Sequence, residues 1–185
     1  MEIQNVSPVK TAMRWGLILG LIGIVISVTK YLLGGFTPEN YDSGMSQLLQ
    51  YLMYAIVILV LILAMQQHRD KELDGFMKYG RGLGLGTLIG LFYGIIACIT
   101  TFVMVKFLLP ADLGDKIIDM TREKMLEKNP SMTEDQMEMG LGWVRRMTTP
   151  GVMSLMSLFG GVFICFLFSL IVSAFVKKSN PNAFE

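Results

Sequence analysis

Four long stretches of the chain carry almost no charge, and polar segments separate them. They run from about Trp15 to Leu33, Leu48 to Met65, Gly82 to Leu109 and Gly151 to Val176. A helix needs about 20 residues to cross the hydrocarbon core of a bilayer, and each stretch is near that length. Backbone groups in lipid must bond within their own segment, so each stretch is predicted to be a helix. The pattern therefore predicts an all-α fold, an integral membrane four-helix bundle, with spans at about 12–33, 48–66, 82–109 and 150–176. Residues 1–185 form a single membrane domain on this reading.

Local signals set the boundaries. Ser7-Pro8 reads as a helix start, with serine capping and proline in the first turn. The first block is too long for a signal-peptide core, and no small-residue cleavage pattern follows it, so it reads as an uncleaved span. Gly34-Gly35 ends it, and Lys30 near that end can snorkel to the interface. Thr37-Pro38-Glu39 restarts the chain, and Tyr51 and Tyr54 suit the membrane boundary of the second span. The second helix is expected to run on into a polar hairpin and stop at Gly75.

Residues 111–149 are the sizeable polar segment. Leu113, Ile117, Ile118, Met120 and Met125 form one helical face, Asn129-Pro130 breaks it, and Ser131-x-x-Glu134 reads as a capping box. Glu134 and Asp135 begin a second helix that Arg145 and Arg146 end, which complements the helix dipole. Met137, Leu141 and Val144 share a face of it, so a helical hairpin is expected. Thr149-Pro150 opens the last span, and the tail SNPNAFE reads as disordered.

Glycine changes the picture of the third block. In water each glycine costs a helix roughly 1 kcal/mol against alanine. In lipid, small residues four apart let a second helix approach closely. Gly82, Gly86, Gly90 and Gly94 have that spacing, and the Gly160-Gly161 pair offers a second approach point in the last span. These six glycines are the expected helix-packing positions, and the third helix is the one against which the others are expected to pack. The seam could serve one chain or a homo-oligomer.

Composition and charge narrow the rest. The chain is 52% hydrophobic and 17% charged, with net charge +1, which marks no nucleic-acid partner. Lys10, Arg14, Arg69, Lys71, Lys78, Arg81, Lys177 and Lys178 all fall on the N-terminal arm, the 66–81 hairpin and the tail. The positive-inside rule then puts both termini in the cytoplasm and makes 111–149 an extracytoplasmic helical segment between helices three and four.

The order of these features is familiar: an S-P start, a charged hairpin running into GFMKYGRGLGLG, then LLP, an acidic helical hairpin, and a T-P-G start to the last span. It resembles the bacterial membrane family called domain of unknown function DUF4199, over nearly the whole chain. The resemblance implies a multi-pass protein of the bacterial inner membrane. It brings no activity, cofactor or catalytic residue.

Chemistry is sparse. The glycine run has the order G-x-G-x-G with no preceding strand, unlike a dinucleotide-binding loop. Ser154, Ser157, Ser169 and Ser173 lie far from any histidine or acid in sequence and read as helix-satisfied hydroxyls. Cys98 and Cys165 sit mid-span and are expected to be reduced, and the lone His68 excludes a multi-histidine metal site. Asp112, Asp115, Asp119, Glu123 and Glu127 lack the loop order of a calcium site. The span cores hold no ionisable group of the kind that couples transport to ions. No catalytic, cofactor or metal residue is therefore assigned. The expected function is that of a non-enzymatic accessory protein, with the lipid bilayer and a membrane-protein partner or a second copy as partners. A small-molecule or lipid conduit through the bundle is the alternative. Cu(I) handling by Met132, Met137, Met139, Met147, Met153 and Met156 is a weaker one, resting on the softness of thioethers.

Overall fold

A computed structural model describes residues 7–36 and 43–178. The expected Thr37-Pro38-Glu39 helix start and the SNPNAFE tail, apart from its flanking lysines, lie outside the described residues. Among these residues there are six α-helices: α1 (Val9–Leu32), α2 (Gly44–Glu72), α3 (Tyr79–Val103), α4 (Leu113–Lys128), α5 (Glu134–Met147) and α6 (Pro150–Val176). A π-helical turn, Met104–Leu108, extends α3. α1, α2, α6 and α3 with its extension are long and apolar enough to cross a membrane, at 24, 29, 27 and 30 residues. Their outward faces carry Leu21, Val25, Leu48, Ile99, Phe163 and Phe175, all exposed. Such a continuous apolar surface suits lipid and not water.

The spans alternate in direction, so the bundle has two ends. One holds the 66–81 hairpin and the basic residues, and is called the basic end. The other holds the α4–α5 hairpin and is called the hairpin end. α3 is central: it packs most extensively on α6 and then on α1. Between them lies a core of fully buried Leu19, Leu61, Met65, Leu85, Ile89 and Cys165.

Several helix ends differ from the sequence reading. α1 begins at Val9 with Pro8 at its cap, and Ser7 Oγ instead accepts from the Val9 amide at 3.4 Å. The capping box of α5 is built by Thr133 and Gln136, not by Ser131 and Glu134. Thr133 Oγ1 accepts from the Gln136 amide at 3.4 Å, and Gln136 Oε1 accepts from the Thr133 amide at 3.3 Å. Ser131 is drawn away, because its hydroxyl donates to Asn129 Oδ1 at 2.9 Å. α2 runs to Glu72, past the apolar block, and the chain leaves it through Asp74 and Gly75, both with positive φ. The Gly75 amide reaches back to Arg69 O at 2.9 Å and closes the helix end.

Candidate functional site

The glycine row of α3 faces a row of small residues on α6. A β-carbon placed on Gly82 would stand 2.8 Å from Ser173 Oγ, and one on Gly86 would overlap Ser169 Oγ. One on Gly90 would stand 2.7 Å from Cys165 Cβ, and one on Gly94 2.7 Å from Leu158 O. All are shorter than real side-chain contacts. Both rows have spacing four, so two antiparallel helices mesh without bulky side chains between them. Gly161 joins this seam, since a β-carbon there would meet Tyr93 at 3.1 Å and Gly94 Cα at 3.2 Å. Gly160 does not. A β-carbon on it meets nothing within 4 Å, because its position one residue earlier turns it away from α3.

The seam holds chemistry that the sequence reading assigned otherwise. Ser169 is not satisfied within its own helix: its Oγ is buried and has no hydrogen-bond partner among the described residues. Ser173 Oγ contacts Met65 Sδ at 3.6 Å. A second close approach, absent from the sequence reading, joins α1 to the opposite face of α3. Gly16 lies against Phe92 Cβ and Ile89 O, and Gly20 lies against Ile96. The signal was present, since Ala12, Gly16 and Gly20 are also four apart.

The basic end is tied by a polar network drawn from all four spans. His68, fully buried, contacts Glu72 Oε2 through Nδ1 at 2.7 Å, and its Nε2 accepts from Arg81 Nε at 3.3 Å. With Nε2 accepting, Nδ1 carries the ring hydrogen and donates to the carboxylate. Thr11 Oγ1 donates to the other Glu72 oxygen at 2.5 Å, and Trp15 Nε1 donates to Gln67 Oε1 at 3.2 Å. Arg69 donates to Val176 O at 3.0 Å, and Met77 pairs with Lys178 through two main-chain bonds. The single histidine is thus a structural bridge between helices. Among the described residues no group of three or more His, Cys, Asp and Glu could hold a metal ion.

The hairpin half of the bundle is looser. A half-open chamber of about 270 Å³ lies among all four spans. α1 contributes Ser27, α2 Gln50 and Tyr54, α3 Tyr93 and Thr101, and α6 Ser157 and Gly160. A side lobe of about 190 Å³ adjoins it and adds Ile26, Lys30, Phe36 and Leu49. The two share Gly23, Ser27, Gln50, Met53 and Tyr93, so they join between α1 and α2. Toward the basic end the chamber stops at Val57, Tyr93 and Ile164. Beyond them stand fully buried Leu61, Met65, Leu85 and Ile89. Among the described residues no charged side chain lines the main chamber. The chamber was not legible as a site in the sequence, because its polar residues come singly from separate helices.

Outside the spans, α5 carries Met139, Trp143 and Met147 in a stripe, with Met139 73% and Trp143 64% exposed. Gly140, beside this stripe, meets α4, where Met125 Cε would stand 2.7 Å from a β-carbon placed on it, and Leu141 is the buried residue of α5. Cys98 and Cys165 are free thiols.

Compared with known proteins, residues 14–178 match the family model described as protein of unknown function (DUF4199). No curated protein and no solved structure matches the chain. The match spans nearly the whole length, and the chain belongs to this family.

Proposed function

We propose that this DUF4199 member is a non-enzymatic accessory protein of the bacterial inner membrane, with both termini cytoplasmic and the α4–α5 hairpin outside. The observation that carries the reading is the closed basic half of the bundle. The α3–α6 seam leaves backbone and small side chains in direct contact, and Leu61, Met65, Leu85 and Ile89 fill the space beside it. A conduit needs a path from face to face, and the close seam together with these four buried side chains supports a bundle without one. The absence of charge within the span cores gives ion-coupled transport no foothold. The exposed Met139–Trp143–Met147 stripe on α5 supports an interaction role, as large apolar residues outside the spans need cover.

Vesicles reconstituted with the purified chain test this reading. It predicts no movement of dyes, small solutes or labelled lipid beyond that of empty vesicles. Movement that requires the chain overturns it in favour of a conduit.

A further inference from the structure

Five polar side chains around the chamber have no hydrogen-bond partner among the described residues: Ser27, Gln50, Tyr54, Tyr93 and Thr101. Other hydroxyls in these helices bond back one turn. Thr29 donates to Val25 O at 2.9 Å, Thr87 to Leu83 O at 2.8 Å and Thr100 to Ile96 O at 2.9 Å. Gln50 is exposed and the other four are half-buried, so each is left to bond water or a ligand that enters the chamber, and a ligand that offered them no polar atom would leave them unbonded at a cost. Five such groups from three helices converge on one space, and the described residues do not fill it.

The lining also selects by charge. In the side lobe Lys30 stands over the Phe36 ring, and among the described residues the main chamber itself offers hydroxyls and one amide, which donate and accept, and no carboxylate, ammonium or guanidinium to balance an ion. Desolvating a full charge there would go uncompensated. The remaining walls, including Met53, Val57 and Ile164, are apolar. At about 270 Å³ the chamber lies near the small end of ligand pockets, which begin at roughly 300 Å³. It takes a head and the first carbons of one chain, not a two-chain lipid. The side lobe between α1 and α2, walled by Ile26, Leu49 and Phe36, gives a tail its way out.

We propose that the chamber binds an uncharged single-chain amphiphile, with a head of two or more hydroxyl or carbonyl oxygens bonded by Gln50, Tyr54, Tyr93, Ser27 and Thr101. The tail leaves between α1 and α2 at the hairpin end. The site goes beyond the accessory role and is separable from it, because vesicle flux tests that role and direct labelling tests this one.

The test uses the full purified chain in nanodiscs with a photoreactive, alkyne-tagged monoacylglycerol, alongside the fatty acid and the alkylammonium of the same chain length. The neutral probe is expected to label the segments around residues 23–27, 50–57 and 93–101, and unlabelled monoolein is expected to compete. Gln50→Leu combined with Tyr93→Phe should lower labelling about tenfold, as befits two lost hydrogen bonds to the head. Gly160→Leu should abolish it with thermal stability intact, since a side chain there enters the chamber without touching the seam. If either variant unfolds, single Tyr93→Phe and Thr101→Val, which keep shape, give the same reading. Labelling unchanged by these variants overturns the proposal. So does equal labelling by the charged probes, or labelling that follows only the outward residues Phe163 and Ile171.

Discussion

Gly94 of α3 lies so close to α6 that a β-carbon on it would stand 2.7 Å from the main-chain oxygen of Leu158. Main chain within a helix cannot step aside as a side-chain tip can. Gly94→Ala is therefore expected to push the two helices apart and destabilise the bundle by about 1–3 kcal/mol, the usual range for overpacking. Gly84 is on the same helix but meets nothing within 4 Å. Gly84→Ala should be neutral or stabilising by up to about 1 kcal/mol, from helix propensity alone. Thermal unfolding of both variants in detergent separates the effects, and equal behaviour would deny Gly94 its packing role.

Ser169 gives a prediction of opposite sign. Its buried hydroxyl has no partner among the described residues and lies against Gly86. Removing an unsatisfied buried hydroxyl relieves a desolvation cost, so Ser169→Ala is expected to stabilise by about 1 kcal/mol. A loss of similar size would instead mean that the oxygen accepts a weak bond from the Gly86 Cα–H.

At the basic end, His68 links Arg81 to Glu72, and Glu72 also holds Thr11. Truncating a fully buried ring that serves two charged neighbours leaves both a cavity and lost bonds. His68→Ala is expected to cost about 2–4 kcal/mol and to open the 66–81 hairpin to limited proteolysis. Lys71, exposed on the same helix, should change stability by less than about 0.5 kcal/mol when replaced by alanine. Equal protease resistance in both variants would remove the network from the account.

Sidedness is open to a labelling test. With Cys98 and Cys165 replaced by alanine, an impermeant thiol reagent added outside intact cells is expected to modify Asp135→Cys and spare Lys71→Cys. Both positions are exposed, so access alone decides the outcome. The reverse pattern would invert the topology.

Much of the architecture was legible in the chain because lipid leaves few choices. Uncharged blocks of span length became helices, and the spacing of Gly82, Gly86, Gly90 and Gly94 already described a face. Rotation of one helix about its axis was not legible. Gly160 and Gly161 are neighbours in sequence and both border the chamber, yet only Gly161 lies against Tyr93 and Gly94, and only the partner helix decides which. The same holds for Ser169, whose spacing with Cys165 and Ser173 matched the glycine row but was read as bonding within α6. The Thr11–Glu72 and Trp15–Gln67 bonds join residues 61 and 52 positions apart, and no local pattern announces such pairs. The chamber was hidden for a related reason. Ser27, Gln50 and Tyr93 are unremarkable singly and become a site only when three helices bring them together.

An open chamber at the hairpin end stands above a closed seam. Thiol accessibility, read position by position from each membrane face, tests this arrangement most directly. Ser157→Cys and Thr101→Cys in the chamber should react with a small impermeant reagent from the face that carries the α4–α5 hairpin, and from that face only. Native Cys165, fully buried, and Ser169→Cys in the seam should stay unreactive from both faces. Reaction of Cys165 or Ser169→Cys from the basic face would show a path through the bundle and contradict the account.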